Sequence, residues 1–335
     1  MSTTIKDVAR LAGVSTSTVS RALTDGHYVK DETLKKIQVA SEKLGYRPNT
    51  LARSLVSKKS NTIGLIIPEI ANPFYSKIIS GVESVATKKG YSIILVSGYS
   101  QTGEVEVETL LSRQVDGIIH GGVYKTNTTI SKLKADKFPI VLLGRKLPGV
   151  ETDCVIVNDS YSAYQLTNHL ITMGHSKIAY ILGREESTGT SEKYTGFIKA
   201  MEEAGIDVLT DYLDKGFLSF EGGYEAGKRL LDRNMRPTAI VAGNDIMALG
   251  ARQAIYDSGF TIPDDIALVG FDDIFVSSIS GIDLTTVAIP KFKMGSLGAE
   301  LLINKIENFQ SGEMKQIILE SELVIRKTCG YTMKR

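Results

Sequence analysis

The stretch that decides the fold of the N-terminal part of the chain is IKDVARLAGVSTSTVSRAL, residues 5–23. Its first apolar residues recur at i, i+3, i+4 and i+7, which places them on one face of an α-helix. These residues are Ile5, Val8, Ala9 and Ala12. Gly13 follows and ends the helix, because glycine adopts the positive φ that a tight helix exit requires.

A second helix is predicted directly after this turn. Ser15, Thr16 and Ser17 offer hydroxyl groups that can cap it, and its buried face consists of Val19, Ala22 and Leu23. Two short helices joined by a glycine turn, with a small residue where they cross, predict a helix-turn-helix. An ordinary helical hairpin is the alternative. The outward side chains of the second helix argue against it, because short hydroxyls and an arginine suit contacts to DNA bases and phosphates. These side chains are Thr16, Ser17, Ser20 and Arg21.

A third helix is predicted over residues 31–44, with Asp31 as its cap and Gly45 at its end. Its inward face completes a three-helix core and is formed by Leu34, Ile37, Ala40, Ser41 and Leu44.

Composition and charge support a globular protein with a basic head. The chain has 335 residues, of which 42% are hydrophobic and 23% are charged. No apolar run approaches the roughly 20 residues of a membrane helix, and no secretory signal is visible. We therefore expect a cytoplasmic protein whose Cys154 and Cys329 are free thiols. Residues 1–60 hold 11 Lys/Arg against 5 Asp/Glu, and the remainder holds 28 against 33. This asymmetry predicts that the head alone binds a polyanion.

From residue 61 onward, apolar runs rich in Ile and Val alternate with helical stretches, in two similar series. Continuous apolar strands alternating with helices predict parallel sheets covered on both faces. We expect strands near residues 63–67, 93–96, 115–119, 140–143, 155–157, 178–182, 239–242 and 267–271. Helices are expected over residues 76–89, 104–112, 163–173, 192–204, 246–258 and 294–309.

Ligands of parallel sheets bind beyond the carboxyl ends of the strands. That rule nominates residues 68–75, 98–99, 120–124, 144–146, 183–193, 244–245 and 272–273. Carboxylates, amides and aromatic rings are prominent in these segments, and such groups suit a polyhydroxylated ligand.

Residues 5–23 resemble the DNA-binding head of the LacI/GalR family of bacterial transcription regulators. Five later stretches resemble its effector core, which is similar to periplasmic sugar-binding proteins. They are IGLIIPEIANPFY (63–75), QVDGII (114–119), GNDIMALG (243–250), ALVGFDD (267–273) and LTTVAIP (284–290).

The expected fold is an all-α helix-turn-helix head (1–48), a hinge helix or linker (49–60) and an α/β core for effector binding and dimerisation (61–335). Two doubly wound parallel-sheet subdomains of the periplasmic-binding-protein-like type form this core. The N-subdomain takes about 61–160 and 291–322, and the C-subdomain takes about 161–290 and 323–335.

The resemblance implies that residues 49–57, NTLARSLVS, form a hinge helix; a simple linker is the alternative. Ala52 would let the backbone approach DNA, Leu55 would be a wedge in the minor groove, and Arg53 would meet phosphates. The DNA-binding residues expected in all are Thr4, Ser15, Thr16, Ser17, Ser20, Arg21, Asn49, Ala52, Arg53 and Leu55.

The resemblance also assigns an effector site. Asn244 and Asp272 match residues that bind effector hydroxyls, and the aromatic pair at 74–75 matches positions that pack on the ligand. Lys193 stands where the family usually has an arginine. Gly144 stands where many members have an aspartate, and Arg145 follows it. Arg145 and Lys193 together would favour a phosphorylated or acidic sugar; a plain surface position for Arg145 is the alternative. The expected site is Phe74, Tyr75, Arg145, Lys193, Leu218, Asn244 and Asp272.

Several neighbouring features receive other interpretations. Asp245 is expected to cap the helix that follows it rather than to bind ligand. GGYEAGKR (222–229) lacks the final Ser/Thr of a P-loop and is predicted to be helical. His120 lies at a strand end and could touch the effector. Lys293 and Glu300 reverse the charges with which the catabolite-control branch binds a phosphorylated carrier protein, so that partner is not expected.

The combined hypothesis is a homodimeric, sequence-specific DNA-binding regulator, a repressor of carbohydrate-utilisation genes, that binds a palindromic operator. A sugar or sugar phosphate in the cleft would control it. No cofactor, metal, membrane partner or catalytic residue is expected. The alternatives are a sugar-binding protein with a non-functional head, a regulator with a non-sugar or protein effector, and an enzyme acting on a carbohydrate.

Overall fold

The computed structural model describes residues 3–24, 29–46, 59–98, 103–308 and 314–330. The chain divides into two compact units, Met1–Ser60 and Asn61–Arg335. Each unit has its own apolar core and is described by itself.

The first unit contains three helices, α1 (Ile5–Ala12), α2 (Thr16–Thr24) and α3 (Asp31–Lys43). Their inward faces form one small core, as the apolar spacing predicts. Its buried residues are Val8, Ala9, Val19, Ala22, Ile37 and Ala40. Ala9 is only 4% exposed, and its small side chain allows α1 to pack closely on its neighbours.

The helix ends explain the sharp turn between α1 and α2. Thr4 begins α1 with a capping box, in which its backbone N–H donates to the Asp7 carboxylate at 3.0 Å. Gly13 ends α1 with φ of 66°, as the sequence predicts. The expected Asp31 cap is wrong. Lys30 occupies the cap position and makes no side-chain cap bond. Asp31 lies instead in the first turn, where its negative charge favours the helix dipole.

The N-subdomain of the second unit has a six-stranded, all-parallel sheet in the order β11-β5-β4-β3-β1-β2. Its strands are β1 (Thr62–Ile67), β2 (Ser92–Ser97), β3 (Gly117–His120), β4 (Ile140–Leu143), β5 (Asp153–Val157) and β11 (Gln316–Leu319). Its helices are α4 (Pro73–Lys88), α5 (Glu104–Ser112), α6 (Thr129–Ala135) and α11 (Lys291–Glu307).

The C-subdomain has a four-stranded parallel sheet in the order β7-β6-β8-β9. Its strands are β6 (Ile178–Leu182), β7 (Leu213–Lys215), β8 (Ala239–Ala242) and β9 (Ala267–Val269). Its helices are α7 (Asp159–Thr172), α8 (Thr188–Glu203), α9 (Phe220–Leu231) and α10 (Asp245–Asp257). The predicted helical form of GGYEAGKR is confirmed, because that stretch lies in α9.

The chain passes between the two sheets three times: after β5, before α11 and after β11. The last two passages are joined by an antiparallel ribbon of β10 (Thr286–Ala288) and β12 (Glu322–Val324). The apolar pattern did not predict β7, β10, β11 or β12, because these strands have only three or four residues and, apart from β10, are only partly buried.

Several helices begin earlier than the apolar pattern predicts. The helix expected from residue 163 begins at Asp159, and the helix expected from residue 192 begins at Thr188. In both cases a polar residue caps the true start. The Asn158 side chain accepts from the Tyr161 N–H, and the Ser187 side chain accepts from the Thr190 N–H. The first turns of these helices face the space between the subdomains, so they lack an apolar stripe.

Both cysteines are free and buried, so the prediction of free thiols is confirmed. Among the described residues, no helix combines the length and the apolar character needed to cross a membrane.

Candidate functional sites

Helix α2 presents a polar face on the first unit. Thr16, Ser17, Ser20 and Arg21 are exposed, while Val19 and Ala22 on the opposite face are buried. This arrangement follows from the helical period, since residues three and four apart share a face. The exposed face carries hydroxyls and one guanidinium group, which are donors suited to base edges and phosphates.

The start of α2 is fixed by Ser15. Its hydroxyl oxygen accepts from the Thr18 N–H at 3.1 Å and lies 2.7 Å from the Ser17 hydroxyl oxygen. Thr4, at the start of α1, is also exposed. The predicted hinge residues Asn49, Ala52, Arg53 and Leu55 lie outside the described residues, so their DNA contacts stay predictions.

A cavity lies between the two subdomains, at the carboxyl ends of both parallel sheets, as expected for this kind of fold. Its volume is about 80 Å³. All seven predicted effector residues line it: Phe74, Tyr75, Arg145, Lys193, Leu218, Asn244 and Asp272. They come from six separate segments of the chain, and the structure brings them together. Their role in binding an effector stays a prediction.

The aromatic part of the cavity is held by the start of α4. The Asn72 side chain accepts from the Phe74 N–H at 3.0 Å, and this cap fixes where the helix begins. The Phe74 and Tyr75 rings pack edge to face with centroids 5.1 Å apart. Asn72 also lines the cavity. Apolar ring surface is therefore placed beside an amide.

Asn244, rather than Asp245, caps α10. Its side-chain oxygen accepts from the Met247 N–H at 2.8 Å, and its amide nitrogen lies 3.4 Å from the Leu218 carbonyl oxygen. The expectation that Asp245 is the cap is wrong, because the preceding amide already occupies that position. Asn244 can still offer its amide hydrogens to a ligand.

Asp245 is fully buried and lies behind the cavity wall. Its carboxylate accepts from the Ile274 N–H at 3.0 Å and from the Ser277 and Thr286 hydroxyls, each at 2.6 Å. Burial, and then the nearby charge of Asp272, raise the pKa of Asp245 to about 7, against the lowering effect of the three hydrogen bonds. This network fixes the segment that follows β9.

Asp272 lies near the start of that segment and lines the cavity. Burial raises the pKa of its carboxyl to about 6, although the positive charges of Lys193 and Lys291 oppose the shift. Lys291, at the start of α11, donates to the backbone carbonyls of Asp272 and Asp273. The N-subdomain is thereby bonded to the backbone that carries the Asp272 side chain.

The two cavity cations differ in how far they are already engaged. The Lys193 ammonium donates to the Gly243 carbonyl at 3.0 Å and lies 4.4 Å from the centre of the Phe271 ring. The Nη1 of Arg145 is buried and has no hydrogen-bond partner among the described residues. Arg145 therefore retains a donor for a ligand, whereas Lys193 has used one of its three N–H donors within the protein.

Two polar residues of the cavity were missed from the sequence. Asp159 and Tyr180 both line it and are 5% and 0% exposed. Asp159 closely follows the strand predicted at residues 155–157, so the carboxyl-end rule could have nominated it. Tyr180 lies inside β6, in an apolar run that signals only core. His120, in contrast, is not among the residues that line the cavity; its Nδ1 accepts from the Gly122 N–H at 3.3 Å, and burial lowers its pKa to about 4.

A basic helix-turn-helix unit and a two-subdomain α/β core with a polar cavity define a class of protein, the DNA-binding regulators with a ligand-binding core. Residues 4–49 match the family model of bacterial regulatory proteins, lacI family. Residues 60–327 match the model of periplasmic binding proteins and sugar binding domain of LacI family. The chain belongs to the LacI family of bacterial regulators. It is a DNA-binding transcriptional regulator.

Relatives and solved structures agree with this assignment. The chain is 38% identical to catabolite control protein A of Priestia megaterium, covering 90% of this chain and 92% of that protein. It is 36% identical to the ribose operon repressor of Escherichia coli K12, covering 90% and 93%. Its structure matches the lac repressor dimer bound to operator and the anti-inducer ONPF with a TM-score of 0.87, at 28% identity, over 98% of this chain and 99% of that one. These relatives are regulators.

Proposed function

We propose that the chain is a cytoplasmic, homodimeric repressor whose affinity for a palindromic operator is set by one uncharged monosaccharide bound between the core subdomains. The charge balance of the cavity supports an uncharged ligand, because the lining contains two acidic residues, Asp159 and Asp272, and two basic residues, Arg145 and Lys193.

The charge balance disfavours a phosphorylated ligand. Lys193 already donates one of its three N–H groups to the Gly243 carbonyl, and the charges of Lys193 and Arg145 both act on the carboxyls of Asp159 and Asp272. Burial raises the pKa of both Asp159 and Asp272. A buried phosphate dianion beside these carboxyls would be poorly compensated, since buried charge requires a partner. Neutral hydroxyls can instead donate to the carboxylates and accept from Arg145 and Asn244.

The lining of the cavity suits a small sugar. A buried water needs about 10–15 Å³ of such a cavity. The cavity of about 80 Å³ is therefore large enough for several waters, which a small polar ligand would replace. Phe74 and Tyr75 supply apolar surface for the C–H face of the ring, and the polar side chains supply partners for its hydroxyls.

The head is proposed to contact the operator through α2. Arg21 and the exposed hydroxyls of Thr16, Ser17 and Ser20 would contact base edges and phosphates in the major groove. Thr4 and Ser15 would contact the DNA backbone, and the hinge residues Asn49, Ala52, Arg53 and Leu55 would contact the minor groove. Two heads in a homodimer would occupy two half-sites, which accounts for the palindrome.

The control is proposed to be a binding equilibrium without chemical turnover. A ligand shifts the equilibrium between two core states only by its difference in affinity for them, and typical couplings are about 1–3 kcal/mol. We propose that the sugar releases the operator. A protein that turned over a carbohydrate would deplete it, and the relatives described above are regulators rather than enzymes.

Calorimetry with paired ligands tests this proposal. The purified full-length protein is titrated with D-ribose, D-glucose, D-galactose and D-fructose and with the phosphate ester of each. We expect one free sugar to bind and its ester to bind at least tenfold more weakly. Tighter binding of the ester would contradict the neutral-sugar proposal. Product formation in the same samples, followed by chromatography, would contradict the proposed absence of turnover.

A further inference from the structure

Tyr180 lines the cavity with a hydroxyl group that forms no hydrogen bond among the described residues. Tyr180 lies in β6, between β7 and β8 of the C-subdomain sheet. Its ring is fully buried, and its centroid lies 4.8 Å from that of Phe197 and 6.0 Å from that of Tyr194. Packing on these two rings restricts the ring, so its hydroxyl group is held in a defined place.

That hydroxyl lacks a hydrogen bond within the described parts of the chain, although Tyr180 lines the cavity. Buried tyrosine hydroxyls normally find a partner, because an unmade hydrogen bond costs free energy. A phenylalanine would fill the same apolar space without that cost. Because Tyr180 also lines the cavity, a bound ligand can supply the missing partner.

Asp159 supplies the complementary group on the same wall. Its buried carboxyl lines the cavity, and its negative charge acts on the Tyr180 phenol. A methyl group placed on Gly189 would lie 3.1 Å from the Asp159 Oδ2 and 3.6 Å from the Arg145 Nε. The absence of a side chain at Gly189 therefore keeps open the space beside both charged groups.

We propose that Tyr180 is a specificity-determining residue whose phenol O–H donates a hydrogen bond to one hydroxyl oxygen of the bound sugar. The Asp159 carboxylate accepts a hydrogen bond from a hydroxyl on the same edge of the sugar ring. The proposal rests on the proposed function, since it names how the same cavity selects among sugars. A hydroxyl group can accept and donate at once, so one ligand hydroxyl or two adjacent ones satisfy both residues.

The consequence is a strong preference for sugars with a hydroxyl at that ring position. A site built to bond a hydroxyl rejects the analogue that lacks it, because its buried polar groups are then left unpaired. The deoxy sugar should therefore bind the wild-type protein far more weakly than the parent sugar. A sugar deoxygenated at a position facing another wall of the cavity keeps the hydroxyl that Tyr180 binds, so its affinity should depend on Tyr180 as strongly as that of the parent sugar.

A double cycle, in which one hydroxyl of the sugar and the hydroxyl of Tyr180 are removed singly and together, tests the proposal. The parent sugars are D-ribose, D-glucose and D-galactose, and each is compared with its singly deoxygenated analogues by calorimetry on the full-length protein. The variant is Tyr180→Phe, which removes one oxygen atom and keeps the ring. We expect it to bind the parent sugar roughly 10- to 100-fold more weakly, as for the loss of one buried hydrogen bond. One deoxy analogue should bind the variant and the wild type equally.

Tyr212→Phe is the matched control. The Tyr212 hydroxyl is also buried and has no partner in the described structure, but it packs in the apolar cluster around Ala226 and Leu230 and does not line the cavity. Its removal should leave the affinity for every sugar unchanged. Thermal unfolding of the ligand-free proteins should show no loss of stability in Tyr180→Phe.

The outcomes are distinct. Unchanged sugar affinity in Tyr180→Phe, or an equal loss for the parent and for every deoxy analogue, overturns the role of Tyr180 and leaves the sugar-binding function standing. Failure of all sugars to bind the wild-type protein overturns the proposed function and, with it, the role of Tyr180. A loss of affinity in Tyr180→Phe that is absent only for the analogue deoxygenated at one ring position supports both.

Discussion

The backbone N–H of Lys125 donates to the Glu186 carbonyl oxygen at 2.9 Å, and the Lys125 ammonium lies 2.6 Å from the Ser191 hydroxyl oxygen. Lys125 belongs to the loop after β3 of the N-subdomain, and Glu186 and Ser191 lie at the start of α8 in the C-subdomain. The chain first crosses between the sheets after β5, and β4 lies between β3 and β5 in the sheet. These bonds therefore join the subdomains away from that covalent connection.

Replacement of Lys125 by alanine should weaken sugar binding. The backbone bond can persist, but the bond to Ser191 is lost, so the closed form that surrounds the ligand is less favoured. Because the ammonium is exposed, we expect a modest loss of about three- to tenfold in affinity by calorimetry. Lys132→Ala is the control, since Lys132 pairs with Glu104 within one subdomain at 3.7 Å. Equal affinities in the two variants would show that the Lys125 contact does not stabilise closure.

The buried Asp245 predicts an unusual pH dependence of stability. Its folded-state pKa of about 7 lies above its ordinary value of 3.8, so the folded state holds a proton that the unfolded state releases between about pH 4 and pH 7. The free energy of unfolding should therefore fall as the pH rises through this window, by at most about 1.4 kcal/mol per pH unit. Asp272, with a raised pKa of about 6, adds a change of the same sign.

Denaturant unfolding at a series of pH values checks this prediction. The unfolding free energy of the wild type minus that of Asp245→Asn should decrease from pH 4 to pH 7 and be constant above pH 7. A difference that increases over the same window would mean that the carboxylate is ionised in the folded state and stabilised by its three donors.

Arg21→Ala should change which DNA sequences are bound. A guanidinium that donates to a guanine contributes about 1–3 kcal/mol of discrimination at one base pair. We therefore expect reduced preference at a single position of each half-site, measured by competition binding with single-base operator variants. The control is Lys36→Ala on α3, where the lysine pairs with Glu32 at 2.8 Å. Equal loss on all sequences would assign Arg21 to phosphate contact.

Asp272→Asn should separate effector response from DNA binding. The amide keeps the size of the buried side chain but removes its charge and one acceptor, so sugar affinity should fall by about tenfold or more. Operator affinity without sugar should stay within about twofold of the wild type. An undiminished response to sugar in a gel-shift titration would remove Asp272 from the effector site.

The sequence predicts most of the architecture because its signals are local. The i, i+3, i+4 spacing and the left-handed Gly13 mark the helix-turn-helix, and continuous Ile/Val runs mark the central parallel strands. The helix starts at Asp159 and Thr188 were missed because caps and polar first turns carry no apolar period. The short strand Leu213–Lys215 was missed because it has little buried surface.

The residues that line the cavity are predicted only in part, because some of them are not in loops. The carboxyl-end rule and the family resemblance nominate residues in loops, where Asn244 and Asp272 lie. Tyr180 lies within a strand, where its neighbours Ala179 and Ile181 are core residues, and periodicity cannot show that its hydroxyl reaches a cavity. The engagement of Lys193 by the Gly243 carbonyl is a tertiary contact, so the sequence alone could not show that this ammonium already donates within the protein.

Operator selection from random DNA by the full-length protein, repeated with each neutral sugar and its phosphate ester, tests the central proposal most directly. We predict that a palindromic sequence is enriched and that one neutral sugar, and not its ester, reduces the enrichment. Enrichment of a palindrome that no sugar affects would contradict control by a monosaccharide. Enrichment of no sequence would contradict operator binding itself.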